Sequence, residues 1–188
     1  MSLLPKATRI KYFKALGFGE YNSSNILKMQ KKYFSDPKEH DSKYGKKSDA
    51  LLRHLYNVWK YTQDFSPEEF KCTCGRCTGY PTQMRVKELR NLQSIRTHFG
   101  KPMIITSGLR CEYQNSKVGG VKTSKHLKGC AADFYISGVT DTLEHRKNAI
   151  AWIKKLPNHG YTYGNGWNSL GQTVNYPSMG NALHTDVR

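Results

Sequence analysis

The chain is short of acidic side chains: 14 Asp and Glu stand against 30 Lys and Arg among 188 residues, a formal charge of +16. It also lacks long apolar runs. None reaches the roughly 20 residues that a bilayer-spanning helix needs, and Met1-Ser-Leu-Leu-Pro5 opens no apolar stretch of signal-peptide length. The sequence therefore predicts synthesis in the cytoplasm, without signal peptide, transmembrane segment or membrane insertion. An even set of cysteines is missing as well. There are five, and an odd count in a reducing compartment argues against a disulfide framework. No internal repeat or low-complexity tract is visible.

What is present is enough for a folded core, since 37% of residues are apolar and 12% aromatic. The positive charge is spread along the chain, with 13 basic and 6 acidic side chains up to residue 64 and 17 and 8 beyond it. Such an excess raises encounter rates with polyanions. Nucleic acid, an anionic membrane surface and a cell wall bearing carboxylates and phosphates all fit, and so does plain solubility. A nucleic-acid role would call for a basic stripe with interleaved aromatics or a recognition helix, and neither is evident.

Two units are expected, at 1–62 and 63–188. In the first, Asn22-Ser23-Ser24 offers a helix cap ahead of Ile26, Leu27, Gln30 and Phe34. Ser35–Ser42 reads as a loop, and Ser48 or Asp49 can cap a second helix with the stripe Leu51, Leu52, Leu55, Val58 and Trp59. Two short helices bury little alone, so this unit needs a third helix or its neighbour. In the second unit, Ser66 and Pro67 start a short helix. A longer helix over 84–99 carries Val86, Leu89, Leu92, Ile95 and Phe99 and stops at Gly100. Met103–Thr106 reads as a buried strand, Ala131–Ile136 as another, and 142–155 as a helix with Ile150, Trp152 and Ile153. Tyr161–Tyr163 and Ala182–Val187 are short strands. The fold class is α+β, a small antiparallel sheet flanked by helices beside a small N-terminal helical domain.

The chemistry concentrates in Ser124-Lys-His126-Leu-Lys-Gly129-Cys-Ala-Ala-Asp133. An aspartate inside an apolar strand carries a desolvation penalty unless a cation or a donor meets it. A divalent metal resolves that penalty, and Gly129 with the small Ala131 and Ala132 lets the loop fold back so that His126 and Asp133 converge. In the last strand, His184 and Asp186 stand at i and i+2 and share a face. Two histidines and one aspartate form a three-ligand zinc set that leaves a position open for water. Arg110, on a turn after a strand in Thr106-Ser-Gly-Leu-Arg110, can aim its guanidinium at a carboxylate or a developing oxyanion.

Phe99-Gly-Lys-Pro-Met-Ile-Ile-Thr-Ser-Gly-Leu-Arg110, Asn115 with Val118-Gly-Gly120, the Ser124–Asp133 segment and His184-Thr-Asp186 together resemble the M15 zinc peptidases. These are D-Ala-D-Ala carboxypeptidases and the L-alanyl-D-glutamate endopeptidases of phage endolysins. The likeness runs from about Phe65 onward. It implies that His126, Asp133 and His184 bind one catalytic zinc ion and that Arg110 stabilises the substrate carbonyl as it becomes an oxyanion. Many members carry a carboxylate base three residues before the second ligand histidine, where this chain has Asn181. Asp186 is the expected base, with support of a ligand or a carboxylate entering from a loop as the alternatives. The N-terminal unit, through Ala15–Gly19, Ile26–Gln30, Lys32–Phe34, Leu51, Leu52 and Leu55, is similar to the small three-helix peptidoglycan-binding module, with Tyr44-Gly45 as a remnant of its glycine turn.

Cys72, Cys74 and Cys77, with Gly75 between them, would hold a structural zinc if Cys111 or a histidine supplied a fourth ligand. A structural role without a second metal is the expectation, and Cys130 is expected to be a small buried filler. Ser124, Tyr163 and Trp167 are candidate substrate contacts, the last two from the Gly- and aromatic-rich segment 160–168. The expected function is zinc-dependent hydrolysis of peptidoglycan peptides by a monomer that acts on the bacterial cell wall after release in phage lysis. The alternative is a wall-binding protein without activity, for which Asn181 speaks.

Overall fold

A computed structural model describes residues 5–15, 17–33, 52, 55–75, 77 and 83–188, with 30–33 described by backbone alone. The expectations placed on Phe34, Ser35–Ser42, Tyr44-Gly45, Ser48, Asp49 and Leu51 lie outside these residues. The chain divides into two units, Met1–Lys60 and Tyr61–Arg188.

In the first unit, α1 spans Lys6–Ala15 and α2 spans Ser23–Tyr33. Residues 55–59 are also helical. α1 precedes the two helices read from the sequence. It contributes Tyr12, Phe13 and Ala15 to a core shared by Met29, Leu52, Leu55, Val58 and Trp59. Phe13 meets the ring of Tyr21 edge-on, with centroids 5.1 Å apart. Asn22 caps α2 as the sequence predicts, its Oδ1 accepting from the Asn25 N–H at 2.9 Å.

The second unit is α+β. A five-stranded antiparallel sheet has the order β1-β2-β5-β3-β4, with β1 at Ile104–Ser107, β2 at Ala131–Tyr135, β3 at His159–Gly164, β4 at Trp167–Asn168 and β5 at Leu183–Val187. Helices α3 (Val86–Phe99), α4 (Glu112–Lys117) and α5 (Leu143–Ile153) accompany it. α3 packs on β5, and α5 packs on β3 and β4.

The local signals explain the ends. Ser66 and Glu69 form a capping box around the short 3-10 helix Pro67–Phe70. Gly100 ends α3 in the left-handed region at φ 63°, and the Thr142 side chain caps α5 by accepting from the His145 N–H. β1 departs from expectation. It is an edge strand, and Ile104 is 47% exposed. An apolar run marks a strand without saying whether a second neighbour covers it. Among the described residues no helix is long and apolar enough to cross a membrane.

Candidate metal centre

The sheet register builds the site. Ser107 pairs with Asp133, Asp133 with His184, His184 with Tyr163 and Tyr163 with Asn168. Directly opposed residues of antiparallel strands share a face, so Ser107, Asp133, His184 and Tyr163 form one row across four strands. The 3-10 turn Lys125–Lys128 brings His126 to that row. Gly129 ends the turn at φ 64° against the backbone of Gln83 and Met84, where a Cβ has no room. This close approach is what Gly129 permits.

The three predicted ligands converge. His184 Nδ1 lies 2.8 Å from Asp133 Oδ1 and 3.2 Å from His126 Nε2, which is itself 3.2 Å from Asp133 Oδ1. All three donor atoms fall within 4.8 Å of one another. The tautomer of His126 follows from its other nitrogen. Nδ1 is 2.7 Å from the Gly108 carbonyl oxygen, which only accepts, so Nδ1 donates and Nε2 is the nitrogen that faces the cluster. Burial decreases from His126 at 2% and His184 at 8% to Asp133 at 13% and Arg110 at 18% side-chain exposure, so the centre opens on the Arg110 side.

Arg110 grips the opposite oxygen of the same carboxylate, its Nη2 lying 2.5 Å from Asp133 Oδ2, while its Nε donates to Ser107 Oγ at 2.9 Å. Burial alone would raise the Asp133 carboxyl, but hydrogen bonds and charge from His126 and His184 hold it well below the usual carboxylate range. His184 is desolvated, which disfavours its cation, yet bonds to Asp133 and Asp186 shift it above the ordinary histidine value.

Asp186 stands behind His184 rather than inside the cluster. Its Oδ2 is 3.5 Å from His184 Nε2, the nitrogen facing away from Asp133. Its Oδ1 accepts from the Tyr161 N–H at 3.0 Å and lies against Gly160, where a Cβ would collide with it. The period of the strand correctly puts His184 and Asp186 on one face; it does not say which imidazole nitrogen each carboxylate meets. Asn181 is turned aside, its Oδ1 accepting from Arg146 Nη1 at 3.5 Å.

Tyr163 stacks on the His184 ring with centroids 4.6 Å apart and touches Tyr176 at 4.8 Å and Tyr161 at 5.4 Å. Burial, then the nearby Asp133 charge, pushes its phenol up to about 12, so it stays protonated near neutral pH. Ser124 precedes the His126 turn and is half-buried. Trp167 is not part of this group. It pairs across the hairpin with Gly164, and Lys147 Nζ sits 4.7 Å from its ring centroid.

Sequence reasoning missed Gly108, Ser107 and Tyr176 as parts of the site. Gly108 had a signal, since it lies in the turn that carries Arg110, and a Cβ there would strike the Phe70 backbone. Asn115 is the strap of the neighbouring loop. Its Nδ2 donates to the carbonyls of Gly120 and Val121 at 3.0 Å each, and Gly120 leaves the space that its side chain fills. Cys130 is half-exposed with Sγ 3.6 Å from the Lys128 carbonyl, not the buried filler expected, because it leads out of the turn before β2 becomes covered.

Comparison with known proteins adds one positive result. No protein of curated function matches the chain. Residues 63–163 match the family described as Peptidase M15, a span that includes Arg110, His126, Asp133 and Tyr163 but stops short of His184, which the fold itself brings to the same place. With more than half its length inside that match, the chain belongs to the peptidase M15 family.

Proposed function

We propose that the chain is a zinc-dependent peptidase that hydrolyses peptide bonds in the stem peptides of bacterial peptidoglycan, as a phage-type endolysin of L-Ala-D-Glu endopeptidase or D-Ala-D-Ala carboxypeptidase specificity. The observation that carries the reading is the convergence of His126 Nε2, His184 Nδ1 and Asp133 Oδ1. Two imidazole nitrogens and a carboxylate oxygen are a zinc-type donor set, and three protein ligands are the number that catalytic zinc sites use. His126, Asp133 and His184 would hold the ion. When bound, zinc polarises the scissile carbonyl and lowers the pKa of its water to about 7.

The remaining side chains have separable tasks. Arg110, at the open side, offers fixed positive charge where a carbonyl oxygen gains negative charge. The Tyr163 phenol, kept protonated, offers an O–H to the substrate beside His184. Asp186 is proposed as a positioning residue. By facing the outer nitrogen of His184 it directs Nδ1 into the cluster, the support that ligand histidines usually receive from a carboxylate. That placement favours support over the base role that the residue pattern suggested. The N-terminal unit is proposed as a peptidoglycan-binding module, and its positive charge suits a wall rich in carboxylates and phosphates.

The test is digestion of purified peptidoglycan with and without a chelator, with the new chain ends identified by mass spectrometry. New amino termini that vanish with chelator and return with zinc support the reading and name the bond. Intact peptides despite wall binding and full zinc content would replace it with a wall-binding protein that keeps the peptidase fold.

A further inference from the structure

A second cluster of donors lies in the same unit. Cys111, 34 positions beyond Cys77 in the chain, joins Cys72, Cys74 and Cys77, and the four Sγ atoms fall within 4.8 Å of one another. The separations are 3.8 Å for Cys72–Cys111, 3.7 Å for Cys74–Cys77 and 3.5 Å for Cys74–Cys111. A tetrahedron of sulfurs at the usual Zn–S length of 2.3 Å has edges of about 3.8 Å. These three edges are also nearly equal. Two disulfides would divide the set into two close pairs with sulfurs about 2.05 Å apart, and here Cys74 lies as near to Cys111 as to Cys77.

The local chain suits a metal knuckle. Gly75, at φ 70° with open space where a Cβ would stand, turns the backbone after Cys74 so that Cys77 returns beside it. Backbone N–H groups point at the sulfurs: Cys111 N–H at Cys72 Sγ, 3.4 Å, and Gln114 N–H at Cys111 Sγ, 3.5 Å. Such donors stabilise thiolates bound to a cation. Cys72 is buried and the other three are half-buried, so no sulfur is displayed as a reactive surface thiol.

We propose that Cys72, Cys74, Cys77 and Cys111 bind a structural zinc ion, separate from the His126–Asp133–His184 centre. This replaces the expectation of a structural cysteine cluster without metal, because the fold supplies the fourth ligand that the short motif lacked. Soft thiolates select zinc over magnesium or calcium, and a closed set of four leaves no position for substrate. The ion ties two segments together. Leu109 N–H donates to the Phe70 carbonyl at 3.0 Å, Cys111 N–H meets Cys72 Sγ, and between them stands Arg110, which reaches Asp133. The cysteine site therefore fixes the turn from which Arg110 is aimed.

Metal analysis and cobalt substitution test this without relying on turnover. The full chain, purified without chelator, should hold two zinc ions, and the H126A/H184A double variant and the C74S/C77S double variant should hold one each. Cobalt loading should give an intense near-ultraviolet thiolate-to-cobalt band in the wild type and in H126A/H184A, but not in C74S/C77S. If the cysteine variant fails to fold, the wild-type spectrum and the histidine variant still decide the question. Five freely reactive thiols in the folded, zinc-supplied wild type, with no thiolate-to-cobalt band, would overturn the proposal. So would one zinc per chain that H126A/H184A abolishes. Neither result depends on whether peptidoglycan is cut.

Discussion

The two donor clusters of the second unit differ in every respect that separates chemistry from scaffolding. One mixes nitrogen and oxygen, uses three side chains, opens toward Arg110 and is walled by Tyr163. The other is all sulfur, uses four and closes on itself. The first joins a turn histidine and a strand aspartate seven residues later to His184 through strand register, while the second joins three cysteines within six residues to the distant Cys111. An open, mixed site suits exchange of substrate and water; a closed, uniform site suits holding the chain in place.

The sharpest way to break this comparison is to remove a ligand from the open centre. His184→Ala should lower kcat/KM on peptidoglycan fragments by roughly 10⁴-fold or more, the scale seen when one member of a catalytic unit is lost. The thiolate-to-cobalt signal of the cysteine cluster should stay intact, and a combined assay of turnover and cobalt spectrum checks both. Next in size is Arg110→Lys. The charge remains, but the fork that spans Asp133 and Ser107 is lost, so kcat should fall about 10²- to 10³-fold with KM little changed. A drop confined to KM would assign Arg110 to ground-state binding instead.

Asp186→Asn sharpens the comparison further. As a positioning residue, its loss should weaken zinc affinity about 10- to 100-fold, and saturating zinc should restore most turnover. Turnover that stays lost at full metal occupancy would make Asp186 the proton acceptor. The smallest effect belongs to Glu88, which is fully buried with no hydrogen-bond partner for either oxygen among the described residues. Burial, then the charge of Asp186, raises its carboxyl well above the usual value. An acid raised in the folded state stabilises least at high pH, because stability is lost as pH climbs from its unfolded value, about 4.3, through the folded one. Glu88→Gln should therefore raise Tm at neutral pH by roughly 2–4 °C, equivalent to about 1 kcal/mol, and by less near pH 4. Thermal melts at the two pH values check it.

Much of this was legible in the residues, for reasons that differ from element to element. Caps and stops are written locally, so Asn22, Ser66 and Gly100 mark helix ends without tertiary information. The face shared by His184 and Asp186 follows from strand period alone. What period cannot give is adjacency. That β1 lies at the edge, that Cys111 reaches Cys72, and that Asp186 meets the outer nitrogen of His184 all depend on which segments become neighbours. The cysteines show it most directly: the sequence offered three thiols in one loop and Cys111 or a histidine as a fourth, and the turn after β1 is what brings Cys111 to them.

The strand order carries a consequence for how the molecule is built in time. β5 comes last along the chain among the five strands, yet it lies in the middle of the sheet. Until it enters, β1–β2 and β3–β4 are two separate ribbons, and two-stranded ribbons are marginal in water. Its pairing with β2 joins residues 51 positions apart, the kind of distant closure that slows folding. The same insertion delivers His184 to His126 and Asp133. Completion of the sheet and completion of the donor set are thus a single event, and a partly folded chain carries no finished centre.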